Sequence, residues 1–270
     1  MCRVLKVSTS GYYGWKNRRP SNRDIRNAVI SKAVFQSHSE SYCIYGHRKV
    51  HKDVVQDFKI NCCKETIRRI MLTNGLRARQ RRKFIKTTDS NHSYPVADNI
   101  LGRDFETNAP NTKWVADITY IGTQTGWLYL GIVMDLFSRR IVGWAMSETI
   151  NASLVCDALT MALLHRCPDS ELLFHSDRGS QYASSDFQAI LDGNGIVCSM
   201  SRKGNCWDNA CAERFFRSLK TEWIGDRIYR NPSEAKDSVF EYIEMFYNRQ
   251  RRHETLGYVS PADFEACGAL

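Results

Sequence analysis

The chain has 270 residues, of which 43% are hydrophobic and 25% charged, and its formal net charge is +9. This composition is typical of a globular protein and excludes collagen-like, fibrous and disordered classes. The longest apolar stretch, residues 126–137, is interrupted by Asp135, and the first fifteen residues lack the apolar region of a secretory signal, so neither a membrane span nor secretion is expected.

The charge is divided unevenly along the chain. The first hundred residues carry 21 Lys and Arg against 7 Asp and Glu, whereas the remainder carries 17 against 22. The densest run, residues 77–86, has six cations and no acidic residue. Such a run neutralises phosphates and indicates a nucleic-acid-binding arm, with a solvated linker as the alternative.

The ten cysteines are scattered and form no C-x-x-C pair. Without a signal peptide they are interpreted as reduced thiols of a cytosolic protein. A zinc site from His38, His47 and His51 with Cys62 or Cys63 fits no standard zinc framework.

The basic third contains three helical patterns. Apolar residues recur every fourth position in residues 23–35 and in residues 50–58, and residues 64–72 form a third pattern that Asn74 and Gly75 end as a C-cap. The apolar residues of the first pattern are Ile25, Val29 and Ala33. The second and third helices, joined by a short turn, predict a helix-turn-helix that contacts DNA, although a plain helical bundle packing on a partner has the same pattern.

The candidate DNA contacts of this part of the chain are cations that point outward from the third helix or lie in the basic run. They are Arg68, Arg69, Arg81, Arg82 and Lys83.

The pattern changes after residue 110. Residues rich in Val, Ile, Tyr and Trp predict three strands joined by short turns, followed by helix, strand, helix, strand and helix. The three strands are predicted at residues 113–121, 127–137 and 140–146, and the later two at 171–177 and 196–201. This order predicts an α/β fold with a mixed five-stranded sheet flanked by helices.

Three carboxylates stand out in this region. Asp117 interrupts an apolar strand, Asp177 ends the fourth strand, and Glu213 follows Asp177 after 35 intervening residues, in a helix. A carboxylate in an apolar strand costs desolvation free energy unless it is paired or binds a cation. Three carboxylates at one sheet edge form an oxygen site suited to Mg²⁺ or Mn²⁺.

These motifs together resemble the integrase catalytic core of bacterial insertion-sequence transposases of the OrfB type, which are related to retroviral integrases. The matching stretches are residues 114–121, 126–139, 141–144, 175–182, 199–210, 213–220 and 247–261. Residues 45–50 resemble the helix-turn-helix-like part of the family, so the resemblance covers nearly the whole chain.

The resemblance implies a ribonuclease-H-like fold and a D-D-E triad that falls on Asp117, Asp177 and Glu213. It also implies two Mg²⁺ ions, with Mn²⁺ as a substitute, which stabilise the attacking and leaving oxygens of a phosphodiester displacement. We therefore divide the chain into a basic helix-turn-helix-like region at residues 1–76, a basic linker at 77–110 and an integrase-type core at 111–266.

Several residues near the triad are candidate DNA contacts. Lys220 matches a cation of the family's helix. Arg217 lies four residues after Glu213, and the alternative to its DNA contact is an ion pair with Glu213. Arg178 flanks Asp177, and the loop at residues 201–209 contributes Arg202 and Lys203.

Other residues near the triad have competing interpretations. His175 has either a phosphate-binding or a structural role, and Trp207 either stacks on a base or anchors its loop. Asp135 and Asp208 are the rival metal ligands. The last helix, residues 233–252, is predicted to pack on the sheet, and its terminal cations, including Arg251, suit the helix C-terminus or DNA.

The resemblance predicts a transposase that cleaves insertion-sequence ends and transfers the 3′-OH strand into target DNA. The expected partners are DNA, further copies of the chain and an upstream OrfA product, and the expected location is the cytoplasm, without membrane contact. One alternative is a metal-dependent nuclease of the same fold without strand transfer. The other is a catalytically idle DNA-binding protein that regulates transposition.

Overall fold

The computed structural model describes residues 2–79, 96–168, 171–202 and 206–268. These residues divide into two compact units, at residues 1–78 and 79–270. No helix of the described ranges is both long and apolar enough to cross a bilayer.

The first unit is helical. Its helices are α1 (Thr9–Lys16), α2 (Asn22–Glu40), α3 (His47–Gln56) and α4 (Lys64–Thr73). Ser21 begins α2 with a capping box, in which its hydroxyl accepts from the Asp24 N–H and the Asp24 carboxylate accepts from the Ser21 N–H. The Ser37 hydroxyl donates to buried Asp53 at 2.6 Å and so joins α2 to α3.

Apolar residues on the facing sides of α2, α3 and α4 form the core of this unit. They include Ile30, Ala33, Val34, Val50, Val54, Ile67 and Met71. The predicted helices are present. Of the three apolar residues in the first pattern, Ala33 is buried, whereas Ile25 and Val29 are 54% and 51% exposed. Helical spacing therefore predicts the helix, whereas tertiary packing decides which face is buried.

The second unit contains a mixed five-stranded sheet. Its strands are β1 (Lys113–Thr123), β2 (Gly126–Asp135), β3 (Ile141–Ser147), β4 (Leu173–Ser176) and β5 (Val197–Met200). The strand order is β3-β2-β1-β4-β5, in which β1–β2 and β2–β3 are antiparallel while β1–β4 and β4–β5 are parallel. This is the ribonuclease-H-like arrangement, and it confirms the predicted fold class.

Helices cover this sheet. They are α5 (Ala152–Arg166), α6 (Ser185–Gly193), α7 (Ala210–Ser218), α8 (Pro232–Phe240) and α9 (Pro261–Gly268). Shorter 3-10 segments span Cys206–Asn209 and Glu254–Leu256, and π-helical segments span Leu219–Ile224 and Glu241–Tyr247. One core cluster joins Trp114 of β1 and Phe174 of β4 to Leu159 of α5 and Phe187 of α6. The sheet is therefore a rigid support for residues at its strand ends.

Part of the segment predicted as a linker packs against the second unit. The Ser199 hydroxyl accepts from the Ile100 and Leu101 N–H groups at 3.0 and 3.1 Å, and the Leu101 side chain is buried. Residues 80–95, which include most of the basic run at residues 77–86, lie outside the described residues.

Candidate active site

The two aspartates of the predicted triad lie at matching levels of neighbouring parallel strands. Asp117 lies within β1, and Asp177 directly follows β4. Val115 of β1 pairs with His175 of β4, and each aspartate comes two residues after its member of this pair. The strand register therefore places both aspartates next to each other on adjacent strands.

Asn209 attaches the helix that carries Glu213 to the same strand. Its side-chain Nδ2 donates at 2.9 Å to the carbonyl of Ala116, which directly precedes Asp117. Asn209 is the N-cap of α7, and Glu213 lies in the first turn of that helix. Phe215 of α7 is buried on the core side. Glu213 is thereby held beside β1, and the predicted triad comes together.

The electrostatics of Asp117 show that the three carboxylates act on one another. Burial raises the pKa of Asp117 well above its usual range, and the charges of Asp177 and Glu213 raise it further. The Ile118 N–H, which donates to Asp117 Oδ1 at 2.8 Å, and the Lys220 charge lower it. Crowded carboxylates of this kind favour either a shared proton or a bound cation.

The donor set suits a hard divalent cation. All three groups are carboxylates, which are the ligands that Mg²⁺ and Mn²⁺ prefer. Within the described ranges, no three His, Cys, Asp or Glu side chains are already spaced to hold a metal ion. Asp117 and Asp177 each turn one oxygen to a backbone amide instead, and Asp177 Oδ1 accepts from the Gly179 N–H at 2.9 Å. The three residues fit such an ion because they are carboxylates and because a cation between them would offset the repulsion of their charges.

Lys220 faces the carboxylates from the π-helical segment that continues α7. Burial lowers the pKa of Lys220, and the Asp117 charge opposes that shift. Its Nζ lies 4.5 Å from the centre of the Tyr120 ring, within the range of a cation–π contact. Arg217, three residues earlier, has an exposed side chain.

The other predicted DNA contacts near the triad are bound by the protein itself. Arg178 Nε donates to the Ser201 carbonyl at 2.6 Å. Arg202 forms an ion pair with Asp208 at 2.9 Å. Lys203 lies outside the described residues.

The rival metal ligands are engaged in structural contacts. Asp208 is fully buried and accepts from Arg103 at 2.7 Å, from Arg202 and from Asn99. Asp135 is also fully buried, and it binds Arg166 at 3.1 Å and two backbone amides. Because their oxygens have these partners, both carboxylates fix the fold around the triad.

His175 has a structural role. Its ring is fully buried, and its two nitrogens lie 2.8 and 3.1 Å from the hydroxyls of Ser199 and Ser201. Burial lowers its pKa to about 4, although nearby Asp208 opposes the shift. The imidazole is therefore neutral at pH 7 and joins β4 to β5. Trp207, by contrast, is 68% exposed beside α7.

Arg251 is not available to DNA as the sequence suggested. The helical region ends at Tyr247 of its π-helical segment, before the terminal cations. The Arg251 side chain is buried and pairs with Glu222 at 2.6 Å, while its Nη2 donates to Ser218. Arg251 thus holds the end of α7 in place. The apolar stripe of the same region is buried as predicted, through Ala235, Val239, Tyr242 and Phe246.

The first unit presents cations around α4. Lys64, Arg68 and Arg69 are exposed, and Arg68 pairs with Glu65 at 2.6 Å. A cavity of about 840 Å³ between α2 and α4 is lined by Arg23, Arg26 and Arg69, among other residues. Arg81, Arg82 and Lys83 lie outside the described residues. Helix α4 therefore presents its cations outward, as the sequence predicted for the third helical pattern.

Sequence reasoning missed two residues of the site. Asn209 attaches α7 to β1, and its position four residues before Glu213 was an available signal. Tyr182 lies five residues after Asp177, and the charges of Asp117 and Asp177 reach its hydroxyl. Nothing in its local pattern distinguishes it from an ordinary core aromatic residue.

Comparisons with known proteins agree with this geometry. Models of an integrase core domain match residues 107–206 and 194–261, and a model of an HTH-like domain matches residues 24–84. The fold and these matches define an integrase-core protein with a helix-turn-helix-like domain.

Two relatives are similar over nearly the whole chain. The Insertion element IS600 uncharacterized 31 kDa protein of Shigella sonnei is 43% identical over 264 residues, which cover 98% of this chain and 97% of the relative. Transposase InsF for insertion sequence IS3A of Escherichia coli (strain K12) is 42% identical over 268 residues, covering 98% and 92%. The chain belongs to this family of IS3-type insertion-sequence transposases.

A solved structure is also similar. The HTLV-2 integrase catalytic core domain, in complex with magnesium, matches with a TM-score of 0.44 and 15% identity, over 58% of this chain and 97% of that one.

Proposed function

We propose that the chain catalyses metal-dependent cleavage of insertion-sequence DNA ends and transfer of the 3′-OH strand into target DNA. The observation that carries this proposal is the convergence of three carboxylates. Asp177 follows the strand paired with that of buried Asp117, Glu213 lies on the helix that Asn209 attaches to the same strand, and both charges act on Asp117. A relative 42% identical over nearly the full length is a transposase.

The three carboxylates have one shared role in this proposal. Asp117, Asp177 and Glu213 hold two Mg²⁺ ions, or Mn²⁺ in their place. When bound, such ions stabilise the attacking and leaving oxygens of an in-line phosphodiester displacement. The rigid sheet fixes the backbone of the two aspartates, and Asn209 fixes the helix of the glutamate, so the backbone segments that carry the ligands are preorganised.

Lys220 complements these carboxylates. Its half-buried ammonium lies close enough to Asp117 to act on its charge, so it is positioned to bind a phosphate oxygen of DNA that enters the site. Arg217, Arg178, Arg202 and Lys203 are further proposed contacts, with Arg178 and Arg202 already oriented by the protein bonds described above.

The basic third of the chain supplies most of the DNA affinity in this proposal. Exposed Arg68 and Arg69 on α4 bind the phosphate backbone, together with Arg81, Arg82 and Lys83 of the basic run. We assign residues 1–76 to DNA binding, 77–110 to a linker and 111–266 to catalysis. Because the substrate is bacterial DNA, we place the protein in the cytoplasm, acting as an oligomer with an upstream OrfA product.

A strand-transfer assay tests the proposal. The full chain is incubated with labelled insertion-sequence ends, Mg²⁺ and a target plasmid, with and without the upstream product. We expect joined products that disappear with Asp117→Asn and persist with Asp104→Asn, whose carboxylate is exposed in an ion pair with Lys113.

Other products would identify the alternatives. Hydrolysed ends that are never joined would indicate a nuclease. DNA binding without either product, unchanged by Asp117→Asn, would indicate a regulator.

A further inference from the structure

The hydroxyl of Tyr182 is an unexplained polar atom in the core. Tyr182 is 2% exposed, and its hydroxyl is buried without a hydrogen-bond partner in the described part of the chain. Burying a hydroxyl without a partner costs free energy, and a phenylalanine would fill the same space without that cost. The burial of this hydroxyl is therefore best explained by a hydrogen-bond acceptor that comes within its reach when the protein functions.

The turn after β4 places Tyr182 beside the carboxylates. A Cβ atom added to Gly179 would lie 3.0 Å from Asp177 Oδ1 and 3.7 Å from Tyr182 Cδ2, so both side chains flank this glycine. Tyr182 also belongs to the core cluster that contains Ala116, which directly precedes Asp117 in β1, so Tyr182 packs near this part of the strand. Burial and the charges of Asp117 and Asp177 raise the pKa of Tyr182 well above its usual range, so the hydroxyl keeps its proton.

The ring of Tyr182 is held firmly. It packs edge-on against Phe187 with ring centres 5.4 Å apart. Its backbone N–H donates to Gly179 at 3.0 Å, and its carbonyl accepts from Gln188 Nε2 at 2.7 Å. The position of the hydroxyl oxygen is thus fixed, which lowers the entropic cost of donating to an acceptor within its reach.

We propose that the Tyr182 hydroxyl donates a hydrogen bond to the Asp117 carboxylate when that carboxylate ligates a divalent cation, and so acts as a positioning residue. This inference rests on the function proposed above. Asp117 and Asp177 each accept one backbone N–H, from Ile118 and Gly179. The charge of Asp117 acts on Tyr182 more strongly than that of Asp177, so Asp117 is the acceptor in this proposal. Hydrogen bonds to metal ligands orient them and strengthen cation binding.

Conservative substitution separates this role from a packing role. Tyr182→Phe removes only the hydroxyl, and Tyr242→Phe removes a second buried hydroxyl, in the π-helical segment Glu241–Tyr247, as a matched control. Calorimetric titration of the full chain with Mn²⁺ alone measures cation affinity, and thermal unfolding without cation measures stability.

We expect Tyr182→Phe to keep or raise the Tm and to increase the Mn²⁺ dissociation constant about tenfold. Its kcat for DNA cleavage should fall more than its KM changes, and Tyr242→Phe should leave Mn²⁺ affinity unchanged. An unchanged Mn²⁺ affinity in Tyr182→Phe overturns the proposal. In that case a higher Tm would show that the hydroxyl is only an unsatisfied polar group, and a lower Tm would show that it has a packing role.

Asp117→Asn tells the two proposals apart. If it binds Mn²⁺ as the wild type does, the proposed function fails and this inference with it. If it loses Mn²⁺ while Tyr182→Phe keeps full affinity, only the inference fails.

Discussion

Asp117 illustrates what a single residue reveals. It interrupts an apolar strand, and the structure surrounds it with two further carboxylates and one ammonium group. Its apolar neighbours along the strand explain the free energy that its burial costs. Only the charged groups from other elements explain why a carboxylate is placed there. The same applies to His175, which the sequence left between two roles and which the hydroxyls of Ser199 and Ser201 define as structural.

Gly179 is a residue where a methyl group would disturb catalysis more than folding. In Gly179→Ala the new Cβ would lie 3.0 Å from Asp177 Oδ1 and 3.0 Å from Gln181 Oε1, which presses on the carboxylate. We expect metal-dependent DNA cleavage to fall about ten- to a hundredfold, since small displacements of catalytic groups have effects of this size. Rates are measured on labelled end DNA.

Gly193→Ala is the matched control. No atom lies within 4 Å of its added Cβ, at the end of α6. Its cleavage rate should equal that of the wild type, and its stability should be equal or up to about 1 kcal/mol higher because alanine favours helix. Equal rates in both variants would contradict the role given to Gly179.

His175 makes stability depend on pH. Burial lowers its pKa to about 4 from the ordinary histidine value of 6.5, so the unfolded chain takes up a proton before the folded chain does as the pH falls. Stability from this group is complete above pH 6.5 and is lost as the pH falls towards 4. The loss should be about 1 kcal/mol at pH 5.5 and on the order of 3 kcal/mol at pH 4.

Urea unfolding between pH 4 and 7.5 measures this loss. His175→Gln keeps groups that can bond to both serine hydroxyls but has no such proton. The difference in stability between the wild type and this variant should therefore shrink as the pH falls. A constant difference would show that His175 does not titrate as described.

At the scale of elements, close packing of α5 on the sheet depends on Gly143 of β3. In Gly143→Ala the added Cβ would overlap the Ala158 carbonyl oxygen and lie 2.7 Å from Ala162 Cβ. Because helix backbone cannot move aside as a side chain can, we expect a loss of about 3 kcal/mol or more. Denaturant unfolding measures it.

Gly131 of the neighbouring strand is the control for this prediction. Its added Cβ would meet Leu154 Cγ at 3.4 Å, an ordinary contact with a side chain of the same helix. Gly131→Ala should cost less than about 1 kcal/mol. A similar cost at both positions would mean that α5 shifts readily over the sheet.

The elements themselves were largely predictable, and their burial was not. Short-range periodicity predicted α2, α4 and the strands, because hydrogen bonding within an element follows local sequence. It did not indicate that Ile25 and Val29 of α2 are exposed or that Arg251 is buried, because burial depends on what the rest of the chain packs against. The bond from Asn209 to the Ala116 carbonyl spans 93 positions, so no local pattern reports it.

At the scale of the whole molecule, two compact units divide the charge. The unit at residues 1–78 belongs to the strongly basic third, and the unit at residues 79–270 contains the three carboxylates. The mildly acidic balance of the later residues is compatible with DNA binding if cations neutralise the triad. In the proposed function, most of the DNA affinity comes from the first unit and the basic run, and the chemistry comes from the second unit.

Replacing one exposed arginine of the first unit tests this division. Arg69→Gln should weaken binding to any duplex DNA and lower the slope of log affinity against log salt by about one, as expected for one lost phosphate contact. Fluorescence anisotropy at several salt concentrations measures the slope. Arg230→Gln, which removes an exposed cation paired with Glu234 in the second unit, should leave it unchanged.

The sequence by itself determined the charge division and most helices and strands, and it predicted three carboxylates as the site, because these depend on residue type and spacing along the chain. The tertiary structure alone decided that β4 pairs in parallel with β1, that Asn209 attaches α7 to β1, and that Tyr182, after β4, packs in one core cluster with Ala116 of β1. These contacts join residues far apart in sequence, and they form only when the shared core of the sheet is buried.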